Sequence, residues 1–212
     1  MNKLTTSFLV LALSSLGWSF GFSDVQFWVG SGSNQAALAV QWNDGQTPQA
    51  LVWGYRWDGT ANTETMLQAI DSADARLFKY AGTPGQFGLP LYGIGYDTNS
   101  SGVTGAGFTN STSVPDNATA NDPTDRWKVG WTSLGFWELY EGANGTTAGG
   151  WAGAQTGVTG STIANNDWRA LSFAPGFSSQ GVGTLTAAPV PEPATLLFVG
   201  LGLAALAKRR RA

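Results

Sequence analysis

Hydrophobic residues, many of them aromatic or β-branched, gather in several short runs that polar and glycine-rich stretches separate, and these runs predict β-strands. Two such stretches, 36–42 and 50–57, flank Asn43-Asp44-Gly45, which has strong turn propensity, so we expect them to pair as a hairpin. Further strands are predicted over 25–30, 91–96, 127–132, 136–140 and 169–173.

The pattern changes to a helical period over residues 62–79. The apolar residues that recur at helical spacing, and would form one stripe, are Met66, Ile70, Ala73 and Leu77. Asn62 has a side chain suited to cap the first turn. A single helix packed on a mainly antiparallel sheet is typical of an α+β fold, with a β-sandwich as the alternative.

Both ends of the chain carry apolar runs that set them apart from the middle. Lys3 precedes an apolar run over 8–13, and small residues follow it, which is the order of a secretory signal peptide removed near residues 21–23. Near the other end, residues 194–207 are apolar and would form a helix of about 21 Å. That length is short against a hydrocarbon core of about 30 Å.

These features predict the organisation of the chain, with a helix at each end. The predicted parts are a signal peptide over 1–23, a β-rich domain over 24–177, a linker over 178–189 and a C-terminal segment over 190–212 with a transmembrane helix over 194–207.

Composition narrows the chemistry of the exported part. The 212 residues include no cysteine and no histidine. Disulfides, Ser-His-Asp or Cys-His catalysis and histidine zinc sites are therefore excluded. Residues 22–189 hold six basic and thirteen acidic residues, a net charge of −7, which repels phosphate backbones. We expect no nucleic-acid partner.

Nine tryptophans lie in the exported part, and two of them are candidates for binding sugars. Trp53 and Trp57 fall on one face of the predicted strand over 50–57, while Arg56 falls on the other. Exposed aromatic faces stack on sugar rings, so this pair predicts a glycan-binding surface. The alternative is that the tryptophans build the core of a domain that lacks disulfides.

Residues 97–102 match the first half of a calcium-binding loop. Asp97, Asn99 and Ser101 supply oxygen atoms at positions 1, 3 and 5, and Gly102 permits the sharp turn. Phe108 stands at position 12, where a glutamate usually binds the ion through both oxygens. We expect at most a weak Ca²⁺ site and no other cofactor. The alternative is an Asx-type turn.

Two pairs of carboxylates raise the question of catalysis. Glu138 with Glu141, or Asp122 with Asp125, could supply the two acids of a glycosidase. No flanking motif marks either pair, so we expect no enzymatic activity. A secreted, carboxylate-dependent glycan hydrolase is the alternative function.

The C-terminus combines three features in order. Val190-Pro191-Glu192-Pro193 precedes the apolar run, and Lys208-Arg209-Arg210-Arg211 follows it and would stop transfer with the basic end in the cytoplasm. This arrangement resembles the PEP-CTERM sorting signal of bacterial exported proteins. The resemblance implies a Gram-negative-type bacterium with an exopolysaccharide system, in which an exosortase transpeptidase recognises residues 190–193 and removes the helix. A permanent single-span anchor is the alternative.

These expectations combine into one functional prediction. The protein is exported through the inner membrane, is transiently anchored there, and then resides at the cell surface or in the extracellular matrix. Its predicted role is structural or adhesive, in association with exopolysaccharide, with biofilm as the setting.

Overall fold

The structure is a computed structural model that describes residues 19–86, 88–99, 106–109 and 114–191. The helix expected over 194–207 and the apolar centre of the signal peptide lie outside these residues. Within the described part of the chain, no helix combines the length and the apolar character needed to cross a membrane.

The described residues form mostly β-strands, which confirms the α+β prediction at the level of fold class. In chain order, the elements are β1 Trp28–Gly30, β2 Asn34–Gln41, β3 Ala50–Trp57, β4 Ala61–Asn62, α1 Thr63–Ala73, β5 Leu77–Ala81, β6 Leu91–Tyr96, β7 Phe108–Thr109, a 3₁₀ turn Pro115–Asn117, β8 Thr119–Ala120, β9 Arg126–Val129, β10 Gly135–Glu141, β11 Ala152–Gly153, β12 Thr162–Ile163, β13 Asp167–Pro175 and β14 Leu185–Ala187.

The largest sheet has the strand order β1-β3-β2-β13-β10-β11, and β14 also pairs with β3. The hairpin of β2 and β3 is antiparallel, as predicted. The pairings of β3 with β1 and β14, and of β2 with β13, are parallel, so this sheet is mixed. Parallel neighbours need long crossover connections, and the chain between β3 and β13 contains the helix and a second sheet.

The second sheet is antiparallel, with the order β5-β6-β9. Arg126 at the start of β9 ties it to the hairpin of the large sheet. Its Nε lies 2.7 Å from an Oδ of Asp44 in the hairpin turn, and its guanidinium stacks 4.6 Å above the ring of Trp42. The Trp42 indole N–H donates to the carbonyl of Ile94 in β6 at 3.0 Å. The two sheets therefore share one core through both apolar packing and hydrogen bonds.

Helix α1 is shorter than the predicted range of 62–79. Asn62 caps its first turn, as the sequence indicates, and accepts from the backbone N–H of Thr65. The helix ends at Ala73 because Asp74 adopts an extended conformation. Leu77 matches the helical period but lies in β5, where it is also buried, so burial alone cannot distinguish the two assignments.

The domain extends beyond both of its predicted boundaries. Residues 178–189 were predicted as a linker, but β14 within them pairs with β3, and the Ala188 N–H donates to the Val52 carbonyl at 2.9 Å. At the other end, Phe22 belongs to the predicted signal peptide, yet its ring stacks on Trp168 at 4.4 Å. Short, polar or glycine-rich segments join a sheet through backbone bonds that hydrophobic patterning does not reveal.

Candidate functional site: an aromatic groove and the sorting tail

The two tryptophans predicted to stack on sugars are buried. Trp53 has no solvent exposure, and its indole N–H donates to Asp74 at 3.0 Å. Trp57 is almost fully buried, and its ring stacks on Tyr55 at 5.3 Å. The pair does lie on one face of β3, but that face packs on the core, so the prediction of a glycan surface at Trp53 and Trp57 is wrong.

A different set of aromatic side chains borders an open groove of about 630 Å³. The groove runs between strand β10 and the segment that connects β5 to β6. Strand β10 pairs with β13 along its whole length but with β11 only at residues 140–141. On the edge of β10 that faces away from β13, no strand among the described residues therefore pairs with residues 135–139. The groove opens along this part of the strand.

Trp131 is the most exposed aromatic side chain of the groove, with 46% of its surface accessible. Its ring packs edge-on against the ring of Tyr92, with 5.1 Å between the ring centroids. This contact holds the indole and leaves part of its ring surface accessible. A single exposed apolar side chain is normal, but contiguous exposed apolar surface is typical of binding sites, and Trp131 borders the same groove as Phe136.

The loop that carries Trp131 is fixed by one buried carboxylate. Asp116, in the 3₁₀ turn, accepts hydrogen bonds within 3.2 Å from the backbone N–H groups of all four residues 131–134. The hydroxyls of Thr132 and Ser133 also donate to it. Burial alone would raise the pKa of Asp116, but the N–H donors at Thr132 and Leu134 and both donors of Ser133 hold it well below 3.8. This carboxylate stays charged and keeps the Trp131 loop in place.

The strand side of the groove carries Phe136, Trp137 and Glu138. Phe136 stacks on the exposed ring of Phe177 at 5.9 Å. Glu138 is held at both oxygens, because the Tyr140 hydroxyl donates to Oε2 at 2.7 Å and the Ser179 hydroxyl donates to Oε1 at 2.9 Å. The carboxylate is therefore a fixed acceptor beside aromatic surface.

Trp137 contributes an unusual polar atom to this region. Its side chain is buried, and its indole N–H has no hydrogen-bond partner among the described residues. A buried donor without a partner costs about 1–3 kcal/mol, and such groups are rare in folded proteins. Because the nitrogen itself is covered, this donor is not part of the open surface of the groove.

Neither pair of carboxylates considered for hydrolysis is arranged as two free acids facing one site. The two glutamates are separated, and Asp122 of the second pair accepts hydrogen bonds from neighbouring side chains. Glu138 and Glu141 are three residues apart on β10, so their side chains lie on opposite faces of the strand. Glu141 accepts from Ser161 at 2.9 Å, whereas Asp122 accepts from Thr124 and Asn99. The glutamate pair therefore cannot flank one glycosidic bond, as both mechanisms of glycosidases require.

The predicted calcium loop contains the alternative Asx turn. Asp97 Oδ1 accepts from the Asn99 backbone N–H at 3.1 Å, while the Asn99 side-chain amide donates to Asp122 and Thr124. Ser101 lies outside the described residues. In the described ranges, no three acidic side chains already stand close enough together to hold a metal ion.

The C-terminal segment leaves the domain at its surface. The Arg76 guanidinium donates to the carbonyl of Pro189, and the same side chain forms a salt bridge with Asp74 at 2.8 Å. Val190, the next residue, is exposed. The predicted motif of Val190 to Pro193 thus starts directly after the last contact with the domain, and Pro191 is its last described residue.

Sequence reasoning missed Trp131, Asp116 and Phe136 as site residues. Pro115-Asp116-Asn117 has the composition of a turn, and Thr132 to Gly135 follow Trp131 as a second turn-like stretch. These signals mark both loops, but nothing in the sequence places the two loops together.

The comparisons with known proteins bear on the tail alone. No curated protein and no solved structure shows significant similarity to the chain. The family model of the PEP-CTERM protein-sorting motif matches residues 189–211. The motif therefore starts at Pro189, the residue that Arg76 contacts, and covers the apolar run and the basic residues. The chain carries a PEP-CTERM protein-sorting motif at residues 189–211, and this motif supports an exported protein that an exosortase sorts.

Proposed function

We propose that the protein is a non-enzymatic component of the cell surface or extracellular matrix that binds polysaccharide through the aromatic groove. The observation that carries the proposal is the combination of the exposed Trp131 ring with the fixed Glu138 carboxylate along one open cleft. Rings bind the apolar faces of sugars, and a carboxylate accepts from their hydroxyls. Pockets that combine apolar surface with a few oriented polar groups are typical of ligand sites.

The overall charge is compatible with this partner. The exported part carries a net charge of −7, which disfavours phosphate polymers and strongly acidic glycans but has little effect on neutral sugars. The proposal therefore specifies a neutral or weakly charged polysaccharide. It also supplies a reason for the sorting tail, because delivery to the surface would bring the groove to the polymer.

The test is binding of the purified protein to the polysaccharide of the cells that produce it. Trp131→Ala should weaken binding at least about tenfold, which corresponds to about 1.4 kcal/mol. Leu134→Ala is the matched control, because Leu134 lies in the same loop and is 51% exposed but does not border the groove. Equal binding by the wild-type protein and Trp131→Ala, or no binding by either, would contradict the proposal.

The same preparation tests the alternative of a glycan hydrolase. We expect no release of reducing ends from the bound polysaccharide. Release that is abolished by Glu138→Gln would replace the binding proposal with an enzymatic one. Release that survives this substitution and is lost in Asp122→Asn would instead assign catalysis to the loop before β9.

Tail processing is tested separately from sugar binding. We propose that the apolar helix is removed after recognition of residues 190–193. Replacing Pro191, Glu192 and Pro193 by alanine should leave export intact while the full-length chain accumulates in the membrane fraction. Mass spectrometry of the mature wild-type protein provides the control. If the mature form still carries Arg211, the segment is a permanent anchor.

A further inference from the structure

Two buried aspartates face each other where the second sheet ends. Strands β6 and β9 are antiparallel, and Tyr96 of β6 pairs with Arg126 of β9. Asp97 and Asp125 are the next residues along this ladder, on opposite strands. Their exposures are only 3% and 4%. Like charges directly across a ladder destabilise a sheet, and burial increases that cost.

Asp125 has no partner among the described residues that could offset its charge. Both of its carboxylate oxygens are buried, and neither accepts a hydrogen bond from this part of the chain. The neighbouring Arg126 is engaged with Asp44, and its guanidinium also donates to backbone carbonyls of the hairpin turn. Burial, with the charges of Asp97 and Asp122, raises the pKa of Asp125 to about 6.

Oxygen-bearing side chains and one cation lie near this pair: Asp122 and Thr124 lie beside Asp125, and the charge of the Arg76 guanidinium interacts with Asp97. The Asn99 side-chain amide bridges Asp122 and Thr124 at 3.0 and 2.7 Å, and the backbone N–H of Asp125 donates to the Asp122 carbonyl at 3.1 Å. Asp125 borders a cavity of about 640 Å³, and Asp97 borders another of about 390 Å³. The pair therefore lies between two surface cavities, while the Asp125 carboxylate oxygens themselves are covered, so an ion would bind at a buried position between the strand ends.

We propose that Asp97 and Asp125 bind one Ca²⁺ ion between the ends of β6 and β9. Because no three acidic side chains among the described residues are close enough to complete a site, two carboxylates would hold the ion, with water and neutral oxygens as the other ligands. Calcium accepts six to eight oxygen ligands in flexible geometry, whereas magnesium requires a strict octahedron. The chain has no histidine or cysteine, which disfavours zinc and copper.

This proposal differs from the calcium loop expected from the sequence. Asp125 comes from a segment 28 positions beyond Asp97 and supplies the second carboxylate. Asp125 would take the role of the glutamate that usually stands at position 12 of a calcium-binding loop, where this sequence has Phe108. The proposal uses none of the residues of the aromatic groove, so its failure would leave the sugar-binding proposal unaffected.

Thermal unfolding of the full-length protein in detergent tests the site. With 5 mM CaCl₂, compared with a chelator and with NaCl at equal ionic strength, Tm should rise by about 3–6 °C if Kd lies in the weak range of about 0.1–1 mM. Asp125→Asn should lose this rise. Asp58→Asn is the matched control, because Asp58 is an exposed aspartate that contacts Ser33, and it should retain the rise.

Terbium luminescence provides a readout that does not depend on stability. Tb³⁺ resembles Ca²⁺ in its ligand preference, and Trp127 lies two residues after Asp125, so bound Tb³⁺ should emit when the indole is excited. Calcium should quench this emission by competition, and Asp97→Asn and Asp125→Asn should each weaken Tb³⁺ binding at least tenfold. Equal Tm values with calcium and chelator, or terbium binding unchanged in both variants, would overturn the proposal.

Discussion

Asp116 and Asp125 are both buried aspartates near strand β9, but their surroundings differ completely. Asp116 accepts from four backbone N–H groups and two hydroxyls, whereas the oxygens of Asp125 accept from no donor in the part of the chain that the structure describes. Accordingly, the pKa of Asp116 lies below 3.8, and that of Asp125 is raised to about 6. A buried carboxylate with all its donors present organises a loop, whereas one without donors leaves room for a ligand.

The contrast also separates the two sites functionally. Asp116 acts on the groove indirectly, as a positioning residue that fixes the loop of Trp131. Asp125 would contact a ligand itself. The following predictions test whether the two carboxylates differ as described, in order of decreasing effect.

The largest effect is expected from Asp116→Ala. This change removes the acceptor of the part-buried N–H groups of residues 131–134, and the loss of several hydrogen bonds to a charged group should cost about 3–5 kcal/mol of unfolding free energy. Urea unfolding measures the loss, and sugar binding should fall in parallel because Trp131 is no longer held. Asp116→Asn keeps one acceptor oxygen and should lose about half as much. A loss below about 1 kcal/mol for the alanine variant would show that the loop is held by other contacts.

Acid should remove part of the stability that Asp116 provides. Its folded-state pKa lies below the ordinary value of 3.8, so the charged form stabilises the fold above pH 3.8. This contribution is lost as the pH falls through the folded-state pKa. Urea unfolding of the wild type and Asp116→Asn at pH 7, 4.5 and 3 should give equal stability differences at the first two values and a smaller one at pH 3. A difference that does not change with pH would mean that the charge of Asp116 has no stabilising role.

The smallest change, of opposite sign, is expected from Asp125→Asn in the presence of a chelator. The substitution removes a buried charge that has no partner, so the metal-free protein should gain about 1–2 kcal/mol at pH 7. Urea unfolding in chelator measures the gain, with Asp58→Asn as the reference for an exposed aspartate. A loss comparable to that of Asp116→Asn would show that Asp125 has stabilising partners, and the contrast between the two residues would disappear.

Local sequence determined the hairpin of β2 and β3, the capped start of the helix and the sorting tail. Strand patterning and the turn after β2 depend on a few neighbouring residues, so short windows of sequence contain the necessary information. The tail is similar, because its motif is a contiguous segment at the end of the chain. The end of α1 was missed because Leu77 fits the apolar period of a helix and the burial of a strand equally well.

Only the tertiary structure decided which tryptophans are buried and which acids meet. Trp53 and Trp131 both lie in stretches that the sequence predicts as strands, yet one lies in the core and the other beside an open groove. Asp116 acts on residues 15–18 positions away, and Asp125 meets Asp97 through the register of two strands. Hydrophobic patterning shows which residues share a face of a strand or helix, but it does not show which face the rest of the chain covers. The pairing of distant segments decides which face is buried.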